Sequence, residues 1–290
     1  MKKSRKLAAL GICSALFLGL AACQQQHATS EGTNQRQTSS AKVPWKASYT
    51  NLNNQVSTEE VKSLLSANLD PNSVNAFFNL VNDYNTIVGS TGLSGDFTSF
   101  THTEYDVEKI SHLWNQKKGD FVGTNCRINS YCLLKNSVTI PKLEKNDQLL
   151  FLDNDAIDKG KVFDAKDKEE FDILFSRVPT EATTDVKVHA EKMEKFFSQF
   201  QFNDKARMLS VVLHDNLDGE FLFVGHVGVL VPADDGFLFV EKLTFEEPYQ
   251  AIKFASKEDC YKYLGTKYAD YTGDGLAKPF IMDNDKWVNL

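Results

Sequence analysis

The chain has 290 residues, 39 acidic against 32 basic side chains, and a formal charge of −7. That balance gives no electrostatic footprint for nucleic acid or for an anionic membrane surface. The first segment carries four of the basic residues: Lys2, Lys3, Arg5 and Lys6 precede an apolar run from Leu7 to Leu20. The run is shorter than the ~20 residues a membrane-spanning helix needs and reads as a signal-peptide core.

The run ends in Leu20-Ala21-Ala22-Cys23, which resembles the lipobox of bacterial lipoproteins. The resemblance implies cleavage before Cys23 and a diacylglyceryl thioether on its sulfur. Two acyl chains suffice to hold a protein stably on a bilayer. The expected location is therefore the extracytoplasmic face of the cell membrane. Gln24 to Ala41 is Gln-, Ser- and Thr-rich with almost nothing apolar, a composition that cannot repay its ordering entropy. The expected organisation is a signal peptide over 1–22, a lipidated Cys and tether over 23–45, and one folded domain over 46–290. With Cys13 lost and Cys23 lipidated, Cys126, Cys132 and Cys260 remain. An odd number leaves at least one thiol free unless it pairs between molecules.

Helices come first along the folded part. Ser57-Thr58-Glu59-Glu60 reads as a capping box ahead of Val61, Leu64 and Leu65. Asp70-Pro71 places a cap and an N1 proline before Phe77, Phe78, Val81 and Val88, with Gly89 as the stop. Val107, Ile110, Leu113 and Trp114 repeat the pattern. A fourth helix begins near Cys126, with Thr124 or Asn125 as its cap. Leu149 to Leu152 is a strand candidate, followed by charged amphipathic helices over Asp164–Phe175 and Asp185–Phe200. Residues 142–202 read as an insertion covering the core. Arg207–His214, Phe221–Val231, Phe237–Leu243 and Tyr249–Phe254 are β-rich runs broken by turn residues. Ser256 caps a last helix through Cys260, Tyr263 and Leu264. The class is α+β, with N-terminal helices packed on a C-terminal antiparallel sheet.

Three residues could carry chemistry. Cys126 in a first helical turn feels the positive end of the helix dipole, which favours the thiolate. Cys132, six positions on, lies on another face among apolar residues and reads as core. About 9 Å of helical rise keeps the two from forming a disulfide. His226 lies in a strand apolar on both faces, Phe221 to Val231, and an imidazole there needs a partner. Glu241 shares a face with Phe237, Phe239 and Leu243, and a carboxylate on such a face needs one too. A four-residue loop over Pro232–Asp235 pairs Val231 with Gly236 and sets His226 directly opposite Glu241, with Cβ atoms ~5 Å apart. A slip of one residue would separate them.

His102 and His112 lie in or beside the third helix, His189 reads as a helix-surface residue, His214 ends a strand and His27 belongs to the tether. No HExxH, CxxC pair, Walker loop or EF-hand sequence is present. Asp234-Asp235-Gly236 and Asp283-Asn284-Asp285 read as turns. No metal or other cofactor is expected.

A Cys opening a helix, then Gly225-His226-Val227-Gly228 on a strand, then Glu241 on the next strand resembles the papain-like cell-wall cysteine hydrolases of CHAP and NlpC type. The resemblance covers about 12 residues around Cys126 and about 20 from Phe221 to Glu241. It implies a papain-like fold with Cys126 as nucleophile, His226 as base and Glu241 as the orienting residue. Thr124 and Asn125 become the cap and oxyanion-hole candidates. This sequence departs from those enzymes in having Asn125 and Arg127 flank the Cys, and in a longer interval between Cys and His. The whole chain also resembles an uncharacterised lipoprotein family of streptococci and their relatives. The implied function is a lipid-anchored amidase or endopeptidase cleaving amide bonds of peptidoglycan or related peptides. The alternative is a non-catalytic surface lipoprotein binding peptide or glycan in the same groove. Acyl transfer by the same three residues is a third option when water is excluded.

Overall fold

A computed structural model describes residues 45–100 and 103–290. The leader, Cys23, the tether with His27, and His102 lie outside the described residues. Strand β1 (Ala47–Thr50) leads into α1 (Gln55–Asn68). Asn54 is extended, and its side chain accepts the Ser57 N–H at 2.9 Å. The helix therefore starts ahead of the expected capping box, with Ser57 inside its first turn. The α2 helix (Pro71–Val88) begins as read: Asp70 accepts from the Asn72 and Ser73 N–H groups at 3.1 and 2.9 Å, and Gly89 ends it. After β2 (Thr98–Ser99) come α3 (Val107–Lys118) and α4 (Cys126–Leu134).

β3 (Val138–Thr139) precedes the segment read as an insertion, which holds α5 (Phe151–Gly160), α6 (Ala165–Leu174), β4 (Val178–Pro179), α7 (Val186–Phe197) and β5 (Gln201–Phe202). Leu149 to Leu152 is no strand. A single tight turn over Gln148–Leu150 runs into α5. Four apolar-rich residues suit either element, and Leu150, Asp153 and Ile157 bury at helical spacing. His189 is not on the surface: it is fully buried, with Thr180 Oγ1 on Nδ1 and the Thr183 carbonyl on Nε2, both at 2.7 Å.

The remaining elements are β6 (Arg207–Asp215), β7 (Phe221–Ala233), β8 (Gly236–Lys242), β9 (Tyr249–Phe254), α8 (Lys257–Lys267), β10 (Phe280–Asp283) and β11 (Lys286–Val288). The large sheet is antiparallel, in the order β11-β10-β6-β7-β8-β9-β1-β2. It is wider than the four C-terminal runs suggest, because β1 joins one side and β10 with β11 the other. The protein is α+β, with eight α-helices and this sheet among the described residues. One apolar cluster, including Phe77, Ile128, Val229 and Val240, fills the face under α1, α2 and α4. A second, including Leu230, Phe239, Ile252 and Leu264, lies under α8. No helix among the described residues is long and apolar enough to cross a membrane.

Two irregularities of β7 position the residues of interest. Val211 pairs with His226 but Val212 with Val224, so Gly225 is an extra residue, a β-bulge. Before it Leu222 and Val224 face the helix-side core; after it Val227, Val229 and Val231 do. The bulge shifts the alternation by one and turns His226 to the face of Leu230. A Cβ on Gly225 would lie 2.3 Å from Leu213 Cδ1 and 2.6 Å from its Cγ, so any larger residue there displaces the Leu213 side chain. The second irregularity is a gap. β4 pairs with Phe221 and Leu222, β8 with Val229 to Ala233, and β6 occupies the opposite edge from Phe221 to Leu230. Between β4 and β8 the edge of β7 is met by α4: Arg127 donates to the Val224 carbonyl at 2.9 Å and Ser130 to the Val227 carbonyl at 3.2 Å.

Candidate functional site

Asn125 opens α4. It is extended, its Oδ1 accepts the Ile128 N–H at 3.1 Å, and its carbonyl accepts the Asn129 N–H at 3.1 Å. Its Nδ2 donates to Asp153 Oδ1 at 2.7 Å, so both the oxygen and the nitrogen of the amide are bonded. Thr124 Oγ1 accepts from Asn129 Nδ2 at 2.9 Å. Asn125 is thus the cap of the two candidates. Both side chains are engaged in part, each with one further N–H or O–H donor, and the first-turn backbone N–H groups of Cys126 and Arg127 have no partner within the helix.

Cys126, His226 and Glu241 come together, and all are buried, at 5, 2 and 1 % exposure. His226 Nε2 lies 2.6 Å from Glu241 Oε2, which leaves Nδ1 as the ring nitrogen for the thiol. The expected register needs correction. The loop between β7 and β8 has two residues, Asp234 and Asp235, with Ala233 against Gly236 and Val229 against Val240. Continuing that ladder puts Gly228, not His226, opposite Glu241. The slip is two residues, so the side-chain faces are preserved, and imidazole and carboxylate meet as diagonal rather than direct neighbours.

The surroundings favour charge separation between Cys126 and His226. Burial pushes the Cys126 thiol up, but the charge and hydrogen bond of His226 and the Arg127 guanidinium outweigh it, and its pKa falls below the ordinary thiol value. Burial depresses His226, but the thiolate and Glu241 more than reverse that and raise it. Glu241 is itself penalised by burial. Lys267 at 3.6 Å, His226 and the Tyr263 hydroxyl hold it down at about 2. Tyr268 stacks on the His226 ring at 4.9 Å. The other thiols differ: burial pushes Cys132 up to about 12 and Cys260 well above the ordinary value. All three cysteines are free.

Sequence reasoning missed the supporting residues. Asp153 on α5 holds Arg127 through two oxygens, at 2.9 and 2.7 Å. Tyr263, Lys267 and Tyr268 come from α8 and its C-terminal end. Lys242, buried after Glu241, donates to the carbonyls of Thr244 at 2.8 Å, Phe245 at 3.1 Å and Glu247, with Tyr84's ring 4.2 Å from Nζ. Burial depresses it to about 7. Arg127 beside Cys126 was the one local signal, since a buried guanidinium demands a carboxylate. No spacing rule pointed to Asp153. Among the described residues no group of three or more His, Cys, Asp or Glu could hold a metal ion.

Residues 48–288 match a family described as Domain of unknown function (DUF4300). No curated protein and no solved structure matches the chain.

Proposed function

The chain belongs to the DUF4300 family, whose description gives no function; from the site geometry and the sequence resemblances we propose a lipid-anchored, extracytoplasmic cysteine hydrolase of papain-like fold. Its substrates are amide bonds of peptidoglycan or related peptides, and the anchor is the diacylglyceryl group on Cys23. The observation that carries the reading is the row Cys126–His226–Glu241, in which one buried thiol of three is lowered while the others are raised. A structural cysteine in an apolar core has no need of such neighbours.

The chemistry follows from the atoms. The Cys126 thiolate attacks the amide carbon, and the oxyanion forms against the free N–H groups at the start of α4. Nδ1 of the imidazolium protonates the leaving amine as the C–N bond breaks, giving a thioester. Water, deprotonated by the same nitrogen, then attacks the thioester and releases the carboxylic acid and the thiolate. Glu241 keeps the proton on Nε2 and stabilises the imidazolium throughout.

A second reading is a non-catalytic lipoprotein that binds peptide or glycan. The burial of all three residues favours it, with Cys126 only 5 % exposed and Tyr268 stacked on the His226 ring. Incubation of the protein with purified peptidoglycan and with cross-linked stem peptides separates the two. The hydrolase releases new amino groups and the Cys126→Ala variant does not. Binding without release, identical for both proteins, would put the second reading first.

A further inference from the structure

We propose that Arg127 and Asp153 are positioning residues, a clamp that fixes the Cys126 end of α4 against the His226 segment of β7; this rests on the hydrolase reading above. Asp153, from α5, touches the residues on both sides of Cys126 but not Cys126 itself. It accepts from Asn125 Nδ2 at 2.7 Å and from Arg127 Nε and a terminal guanidinium nitrogen at 2.9 and 2.7 Å. The other terminal nitrogen donates to the carbonyl of Val224 at 2.9 Å. Val224 is the last regularly paired residue before Gly225 and His226. The guanidinium therefore ties the backbone beside the nucleophile to the backbone two residues before the base. Its fixed planar fork suits it to hold both ends at once, which a lysine cannot do.

The clamp accounts for the two flanking residues in which this sequence departs from the enzymes it resembles: Asn125 and Arg127 converge on one carboxylate. It also gives the segment over 142–202 a task, because α5 supplies that carboxylate to a site built otherwise from α4, β7, β8 and α8. Asp153 is fully buried, so its charge is matched here or nowhere. The charged groups that act on Cys126 come from every side: His226 on β7, Arg127 on its own helix, Asp153 on α5 and Lys242 on β8.

Charge and position predict different results. By charge alone, Asp153 opposes the thiolate and Arg127 supports it. Asp153→Asn would then ease ionisation of Cys126, and Arg127→Lys, which keeps the charge, would change nothing. As a clamp, both substitutions let His226 drift from the thiol and make ionisation harder. The test is the pH dependence of Cys126 carboxamidomethylation by iodoacetamide in the purified full-length chain, read by mass spectrometry beside Cys132 and Cys260, with thermal melting as the check on folding. The clamp predicts an acid limb moved to higher pH in Arg127→Lys, with alkylation on that limb slowed about tenfold per pH unit of displacement. Asp153→Asn should move it the same way; if that variant does not melt cooperatively, Arg127→Lys decides alone. A limb unmoved in Arg127→Lys, or moved to lower pH in Asp153→Asn, overturns the clamp. A wild-type Cys126 no faster than Cys132 instead overturns the hydrolase reading beneath it.

Discussion

Replacing Glu241 by Gln keeps the shape of the side chain and removes its charge. The wild-type carboxyl is held at about 2 instead of its ordinary 4.5. Because the folded value lies below the unfolded one, its contribution is present above about pH 4.5 and fades as pH falls toward 2. At ~1.36 kcal/mol per pH unit the full contribution is about 3 kcal/mol, of which about 2 kcal/mol disappears between pH 5 and pH 3. In the wild type His226 adds nothing to the change over this window. Its pKa is raised, so its contribution is complete below its unfolded value and is lost only as pH rises through the folded one. The substituted amide cannot titrate. The stability gap between wild type and Glu241→Gln, measured by urea unfolding followed through tryptophan fluorescence, is therefore expected to narrow by about 2 kcal/mol from pH 5 to pH 3. A gap of constant size would sink this expectation, because it would mean that no depressed carboxylate is lost with the substitution.

Two further outcomes are expected. Cys126→Ala should abolish hydrolysis yet stay within about 1 kcal/mol of wild type in urea unfolding, since it removes one small buried atom; a large loss of stability would mark the thiol as structural. Gly225→Ala should cost about 1–3 kcal/mol through overpacking against Leu213 and slow Cys126 alkylation by disturbing the bulge that aims His226. Unchanged alkylation would detach the bulge from the site.

Much of this arrangement was legible because it is local. Asp70-Pro71 and Asn125-Cys126 announce helix starts through side chains that can cap only at those positions. Glu241 on an apolar face implied a buried partner, and His226 is that partner. What escaped depends on contacts remote in sequence. The four residues of β1 gain their place by pairing with β9, about two hundred positions later, and nothing within Ala47–Thr50 records it. The hairpin register differs from the one the sequence suggests because Pro232, a residue typical of loops, lies near the end of β7, opposite Phe237. The difference is harmless to the site only because it is an even number of residues. The bulge at Gly225 left a trace, an apolar pattern on both faces of one strand, which reads equally as complete burial. His189 seemed amphipathic-surface because its hydrogen-bond partners come from the segment before α7 rather than from its own helix.

Competitive alkylation of the native protein near neutral pH, with each cysteine quantified separately, bears on the candidate triad with the fewest intermediate steps. Cys126 is expected to react far ahead of Cys132 and Cys260, and His226→Ala to remove that advantage. Equal and slow reaction of all three thiols, released together only on unfolding, would mean that Cys126 is a core residue and no nucleophile.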